Sequence, residues 1–151
     1  MSEDVKRMGR ELAYQGTVLK VYKDHMKFSN GNTEDWDFIH HDGAAAVIPV
    51  MDDGKILMVK QYRNALERDT LEIPAGKREK GEQPDETARR ELQEEVGATA
   101  REWQSLGEVI ASPGCYDEVL YLYLARDLTF GAQHPDEDEF LDVLRVPFDR
   151  A

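Results

Sequence analysis

Apolar residues come in short runs broken by turn-forming residues through most of this 151-residue chain, and only one stretch repeats with a helical period. Leu19, Val21 and Tyr22, then His25-Met26-Lys27-Phe28, precede the turn signal Ser29-Asn30-Gly31-Asn32, and Trp36 to His41 follow it. That order predicts a β-hairpin, with alternation too weak to fix which face is buried. Ala44 to Met51 reads as a buried strand, and Asp52-Asp53-Gly54 turns it back into Lys55 to Tyr62. Leu71 to Gly76 is a short strand ending in breakers. From Gln83 to Val96 the period lengthens: Ala88, Leu92 and Val96 recur every four residues, with Pro84 in the first turn and Gly97 as the stop. Trp103 to Ala111, Glu118 to Ala125 and Phe140 to Val146 predict further strands, the last preceded by the acidic loop Asp136–Glu139 and ended by Pro147. Many strands with one long helix predict a mixed sheet flanked by helices.

Composition narrows the possibilities. The length suits one domain, spanning 1–151, and apolar and charged fractions of 40% and 33% suit a globular chain. The longest apolar run, Ala44 to Met51, is far short of a membrane span, and Met1 to Arg7 has no apolar stretch resembling a signal peptide. A single cysteine, Cys115, excludes an internal disulfide and points to a reducing cytoplasm. The formal charge of −12 repels phosphate backbones, so nucleic acid is not an expected partner, and with apolar runs this short neither is a membrane. A small anionic substrate remains compatible where bound cations bridge it to the acids.

Candidate chemistry concentrates between Gly76 and Ala98. Glu91, Glu94 and Glu95 fall within an arc of about 100° on the predicted helix. Three like charges so close destabilise a helix unless something positive sits among them, and a divalent cation such as Mg²⁺ prefers carboxylate oxygens. Leu92 and Val96 lie beside the stripe and anchor the helix to the sheet.

The full segment, Gly76, Glu82, then Arg90-Glu91-Leu92-Gln93-Glu94-Glu95-Val96-Gly97-Ala98, resembles the Nudix box, G-x5-E-x7-R-E-U-x-E-E-x-G-U with U aliphatic, at every position. The resemblance implies an α/β/α sandwich, the Nudix fold, with divalent-metal dependence on Mg²⁺ or Mn²⁺. It also implies hydrolysis of a nucleoside diphosphate linked to another moiety. By the family pattern Glu91 and Glu95 are metal ligands, the backbone carbonyl of Ala75 completes the coordination, and Glu94 lies in or beside the inner shell. Arg90 orients the glutamates by ion pairing, Gly76 and Gly97 permit the turns around the helix, and Glu82 is a ligand or a structural support.

Outside the box the chain is similar to the ADP-ribose pyrophosphatase branch. Pro113, fifteen residues past Ala98, stands at the branch's marker proline, and Gln61-Tyr62-Arg63 and Glu72-Ile73-Pro74-Ala75-Gly76 also match. The resemblance implies ADP-ribose as substrate, a homodimer involving the hairpin region 1–42, and substrate-binding roles for Trp36, Arg63, Pro113 and Glu118. Arg63 offers a guanidinium fork to phosphate oxygens, and Trp36 stands for the aromatic that stacks on adenine. Glu137 and Glu139 match the catalytic loop that positions or deprotonates the attacking water. A loop acid suits that task, because a carboxylate bound to a cation is a poor base. Another Nudix activity, on a dinucleotide or an oxidised nucleotide, is the rival within the family, and a nucleotide-sensing module without catalysis is the rival outside it.

Overall fold

The computed structural model describes residues 4–17, 19–134 and 140–151. Its contacts group into two compact units, one of residues 1–42 with 110–119 and the other of 43–109 with 120–151.

In the first unit, β1 (Val5–Gln15), β2 (Lys20–Phe28) and β3 (Thr33–His40) form an antiparallel sheet in that order. The predicted hairpin is thus the β2–β3 half of a three-stranded sheet. The turn closes as expected, with the Phe28 N–H donating to the Asn32 carbonyl at 2.9 Å. The additional strand, β1, escaped pattern reading because almost every one of its side chains is exposed, so no alternation marks it. What holds it is polar. Arg10 grips Asp24 on β2 with two hydrogen bonds of 2.5 and 2.6 Å, and its guanidinium lies 3.7 Å from the Phe38 ring centroid. Asp24 is 7% exposed, a burial that an acid tolerates only with such a partner. Across from β3, the Ile39 N–H donates to the Cys115 carbonyl at 2.7 Å and so ties down the 110–119 segment.

The second unit carries a four-stranded mixed sheet in the order β7 (Ala75–Lys77), β4 (Ala44–Pro49), β9 (Val119–Phe130), β8 (Ala98–Ile110). Here β4 runs antiparallel to β7 and parallel to β9. A second, antiparallel sheet orders β10 (Asp142–Pro147), β5 (Lys55–Arg63) and β6 (Arg68–Glu72). The single α-helix among the described residues, α1 (Pro84–Val96), packs on β4, β7 and β5. Ala44, Ala45, Ala46 and Val47 are all buried, as a strand with neighbours on both edges and helix α1 on one face should be. Leu92 and Val96 join Val47, Leu57, Val59, Ala98 and Ala125 in the core. Leu92 is fully buried, and truncating such a side chain costs about 2–5 kcal/mol.

The expected single strand over Leu71 to Gly76 is in fact two. Pro74 has no N–H for a ladder, and the chain changes sheets there: β6 pairs with β5, and β7 with β4. The Pro74 carbonyl still accepts from Val47 N–H at 2.9 Å. Strand β8 begins at Ala98, directly after the helix, and β9 runs on to Phe130, both longer than their apolar cores suggest. Besides α1, the described residues contain only one short 3-10 turn, Phe148–Arg150.

Candidate active site

The ends of α1 are set by local chemistry. Gln83 is its N-cap, and the Gln83 N–H donates to Glu86 Oε2 at 2.9 Å; Pro84 follows without an N–H to satisfy. At the other end Gly97 adopts a left-handed φ of 68° and its N–H returns to the Gln93 carbonyl at 3.0 Å. The face turned inward bears Thr87, Ala88, Glu91, Leu92, Glu95 and Val96. Two of those six are acids, 7% and 2% exposed for Glu91 and Glu95, so the helix buries negative charge beside its apolar anchors.

Gly76 is what admits Glu91. A Cβ at position 76 would lie 1.9 Å from Glu91 Oε1 and 2.2 Å from its Cδ, so the carboxylate rests where any other residue's side chain would begin. The expected turn-forming role of Gly76 is therefore replaced by a steric one: it stands within β7 and makes room. Glu95 is held from the same strand, with its Oε2 accepting from the Ala75 N–H at 3.0 Å.

Arg90 gathers the remaining acids. Its Nη1 donates to Glu91 Oε1 at 2.6 Å and to Glu94 Oε2 at 2.8 Å, its Nε donates to Glu82 Oε1 at 3.0 Å, and its Nη2 reaches the Lys77 carbonyl at 3.0 Å. Glu82 is further bound by Thr87 Oγ1 at 2.8 Å and the Glu79 N–H at 3.0 Å. The Arg90 guanidinium beside it, against an opposing effect of burial, brings the Glu82 carboxyl down to about 2. With both oxygens engaged by the protein, Glu82 serves as a support for Arg90. The acids in turn raise the Arg90 pKa above its ordinary value, hydrogen bonding to Glu82 contributing most.

No group of three His, Cys, Asp or Glu side chains stands as a preformed metal cage among the described residues; the carboxylates are arranged about Arg90. Their chemistry nonetheless fits a hard divalent cation. The donors are all oxygen, two are buried, and one guanidinium pairs with three carboxylates while Glu95 adds a fourth, leaving net negative charge for a cation to neutralise.

The other sequence candidates fall elsewhere. Arg63, at the end of β5, makes a two-pronged pair with Glu72 at 2.8 and 2.6 Å, and Thr70 Oγ1 also donates to that carboxylate. The Arg63 guanidinium holds the Glu72 carboxyl below the usual carboxylate range, burial opposing. In the first unit Trp36 and Pro113 are brought together on the wall of a hollow of about 340 Å³, with Phe38, Tyr116 and Asp117. Trp36 is 45% exposed and meets the Phe28 ring edge-on at 5.7 Å. Glu118 lies 3.6 Å from His41 Nδ1. Glu137 and Glu139 lie outside the described residues.

Sequence reasoning passed over Asp117. Burial disfavours its ionisation, yet His40 Nδ1 at 2.8 Å and the His41 N–H at 2.8 Å hold its carboxyl below the usual range. Nothing in its sequence neighbourhood signals this, because its partners lie 77 and 76 residues away.

The chain is similar to known proteins in sequence and in fold. A model of the NUDIX domain matches residues 40–151. The chain is 41% identical to an ADP-ribose pyrophosphatase of Bacillus subtilis (strain 168), over 99% of this chain and 82% of the relative. It is 42% identical to a methanol dehydrogenase activator of Bacillus methanolicus, over 97% of this chain and 80% of that one. Among solved structures, a crystal structure of ADP compounds hydrolase aligns with a TM-score of 0.88 at 25% identity, covering 97% of this chain and 80% of that chain. An unbroken Gly76–Ala98 motif, its acids gathered by Arg90 against a glycine floor, and similarity over nearly the whole length lead to one conclusion: this chain belongs to the Nudix hydrolase family.

Proposed function

We propose that the chain hydrolyses the pyrophosphate bond of ADP-ribose, or of a closely related nucleoside-diphosphate sugar, giving AMP and ribose 5-phosphate. The observation that carries this reading is the pair of buried carboxylates of Glu91 and Glu95 in a chain 41% identical to an ADP-ribose pyrophosphatase. Nudix hydrolases need a divalent cation. Here it is Mg²⁺ or Mn²⁺, with Glu91, Glu95 and the Ala75 carbonyl as ligands. When bound, such a cation neutralises pyrophosphate oxygens and lowers the pKa of a bound water.

The chain's own residues do the rest. Arg90 keeps Glu82, Glu91 and Glu94 gathered on one side of the helix, which limits how far the acids must move to meet a cation. Arg63, its guanidinium oriented by two hydrogen bonds to Glu72, brings a fixed positive charge to phosphate oxygens. Trp36 stacks the base beside Pro113, and Glu118 contacts the substrate. The attacking water gives its proton to Glu137 or Glu139, because a carboxylate already bound to a cation is a poor base. Exposed Met8, Leu12 and Tyr14 on β1 support a homodimer formed through residues 1–42. The single cysteine supports a cytoplasmic setting. Among the described residues no helix is long and apolar enough to cross a membrane.

A panel of nucleoside-diphosphate derivatives assayed with Mg²⁺ tests the substrate. ADP-ribose is expected among the best by kcat/KM. An 8-oxo nucleoside triphosphate or a diadenosine polyphosphate ranked far ahead would refute the assignment. The similarity to a protein named as an activator favours a second reading, a nucleotide-binding regulator of another enzyme. Nudix-like modules that only bind tend to lose their metal acids, whereas Glu91, Glu94 and Glu95 are intact here, so the first reading stands ahead. No turnover of any panel member would favour the second.

A further inference from the structure

The last turn of an α-helix leaves carbonyls without partners, and its residues fray unless something takes those carbonyls up. In α1 the open carbonyls belong to the acids of the site. The cap N–H of Gly97 returns to Leu92 and Gln93 and no basic residue stands in the last turn, so Glu94 and Glu95 depend on an outside donor. That donor is the strand-free segment 131–134. The His134 N–H donates to the Glu94 carbonyl at 3.0 Å, Gln133 Nε2 donates to the Glu95 carbonyl, and the Gly131 N–H donates to the Gly97 carbonyl at 2.7 Å. The approach is close enough that a Cβ on Gly97 would come within 2.9 Å of Gln133 N and Gly131 O. Gly97 is thus doubly determined, by its left-handed backbone and by the passing segment.

From this contact we propose that Gln133 is a positioning residue for the metal-binding end of α1, holding Glu95 in register through its backbone while Ala75 holds it through its carboxylate. The inference rests on the reading above that Glu91 and Glu95 bind the cation. Glu95 is then fixed at both ends, its carbonyl by Gln133 and its Oε2 by the Ala75 N–H at 3.0 Å. Of the three contacts from the segment, only the one to Glu95 comes from a side chain, so it alone can be deleted by substitution without touching the backbone. Gln133 is itself exposed, which makes its removal mild for the core.

The experiment measures Mn²⁺ binding to the full chain without substrate, by electron paramagnetic resonance, in wild type, Q133M, Q133N and E95Q. Amide exchange over residues 90–98 and thermal melting accompany it. Q133M keeps the side-chain length and drops the donor, whereas Q133N keeps the amide and falls one methylene short. Loss of one hydrogen bond at a ligand's backbone predicts a Kd for Mn²⁺ raised by about 3- to 10-fold in both, with faster exchange in the last turn of α1. Wild-type Mn²⁺ affinity in both Gln133 variants, whatever happens to the melting temperature, would make the contact merely structural and overturn the proposal, provided E95Q loses binding. If E95Q also binds as wild type does, the metal reading itself is wrong and the positioning role falls with it. Failure of both Gln133 variants to fold would mark a folding requirement and equally overturn it.

Discussion

Replacing Gly76 by alanine sets a methyl group against the carboxylate of Glu91. The new Cβ would sit 1.9 Å from Oε1, 2.2 Å from Cδ and 2.6 Å from Oε2. Carbon and its neighbours rest at about 3.5 Å or more, so the carboxylate must retreat by roughly 1.5 Å. A flexible glutamate at the surface could do so cheaply. This one cannot, because its side chain is 9% exposed and Arg90 Nη1 holds the same Oε1 at 2.6 Å. Overpacking of this kind costs about 1–3 kcal/mol, or a melting temperature lower by roughly 2–4 °C for each kcal/mol. The functional effect should be larger than the structural one, since a misplacement near 1 Å costs on the order of 10²-fold in rate. G76A is therefore expected to fold, to melt a few degrees early, to bind Mn²⁺ weakly, and to lose about 10²-fold or more in kcat for ADP-ribose. Circular dichroism, Mn²⁺ titration and steady-state kinetics on one preparation measure all four. A folded G76A variant within twofold of wild type in both kcat and Mn²⁺ affinity would refute the reasoning, because the glycine floor would then have no bearing on Glu91.

Acid stability follows from Glu82. Its carboxyl is lowered from 4.5 to about 2 in the folded chain, so its contribution is complete above 4.5 and disappears as pH falls toward 2. The melting temperature of wild type should exceed that of E82Q near neutral pH, and the gap should close between pH 4.5 and 2; a gap independent of pH would contradict the Arg90–Glu82 assignment. For the water-activating acid, E137Q and E139Q should be compared separately: the base loses about 10²-fold or more in kcat with Mn²⁺ affinity nearly intact, whereas a ligand loses affinity as well. Unchanged kcat in both would move the role to Glu94.

The helix and its acids were legible because they are local. Periodic Ala88, Leu92 and Val96, Pro84 at one end and Gly97 at the other bound α1 to within one residue of its observed limits. The spacing of Arg90, Glu91, Glu94 and Glu95 likewise places them on adjoining turns, where the structure joins the first three by hydrogen bonds. What pattern reading missed depends on partners distant in sequence. Strand β1 is held by Arg10 on Asp24, a contact fourteen residues apart that no hydrophobic alternation announces. Pro74 splits an apparently continuous strand because its two halves pair in different sheets. Gly76 looked like a turn residue, since a sequence shows that a side chain is missing but not which group fills the space. The pairing of Arg63 with Glu72 across the β5–β6 hairpin was hidden for the same reason: register became visible only in the folded sheet.

We infer that Glu91 and Glu95 hold the divalent cation with which the chain cleaves a pyrophosphate. It is tested most directly by following ADP-ribose with ³¹P NMR in the presence of Mg²⁺, with wild type, E91Q and E95Q side by side. Wild type is expected to convert it to AMP and ribose 5-phosphate, stopped by excess chelator, and each variant to lose about 10²-fold or more in rate while remaining folded. Wild-type turnover that persists in chelator, or undiminished turnover in both variants, would contradict this assignment.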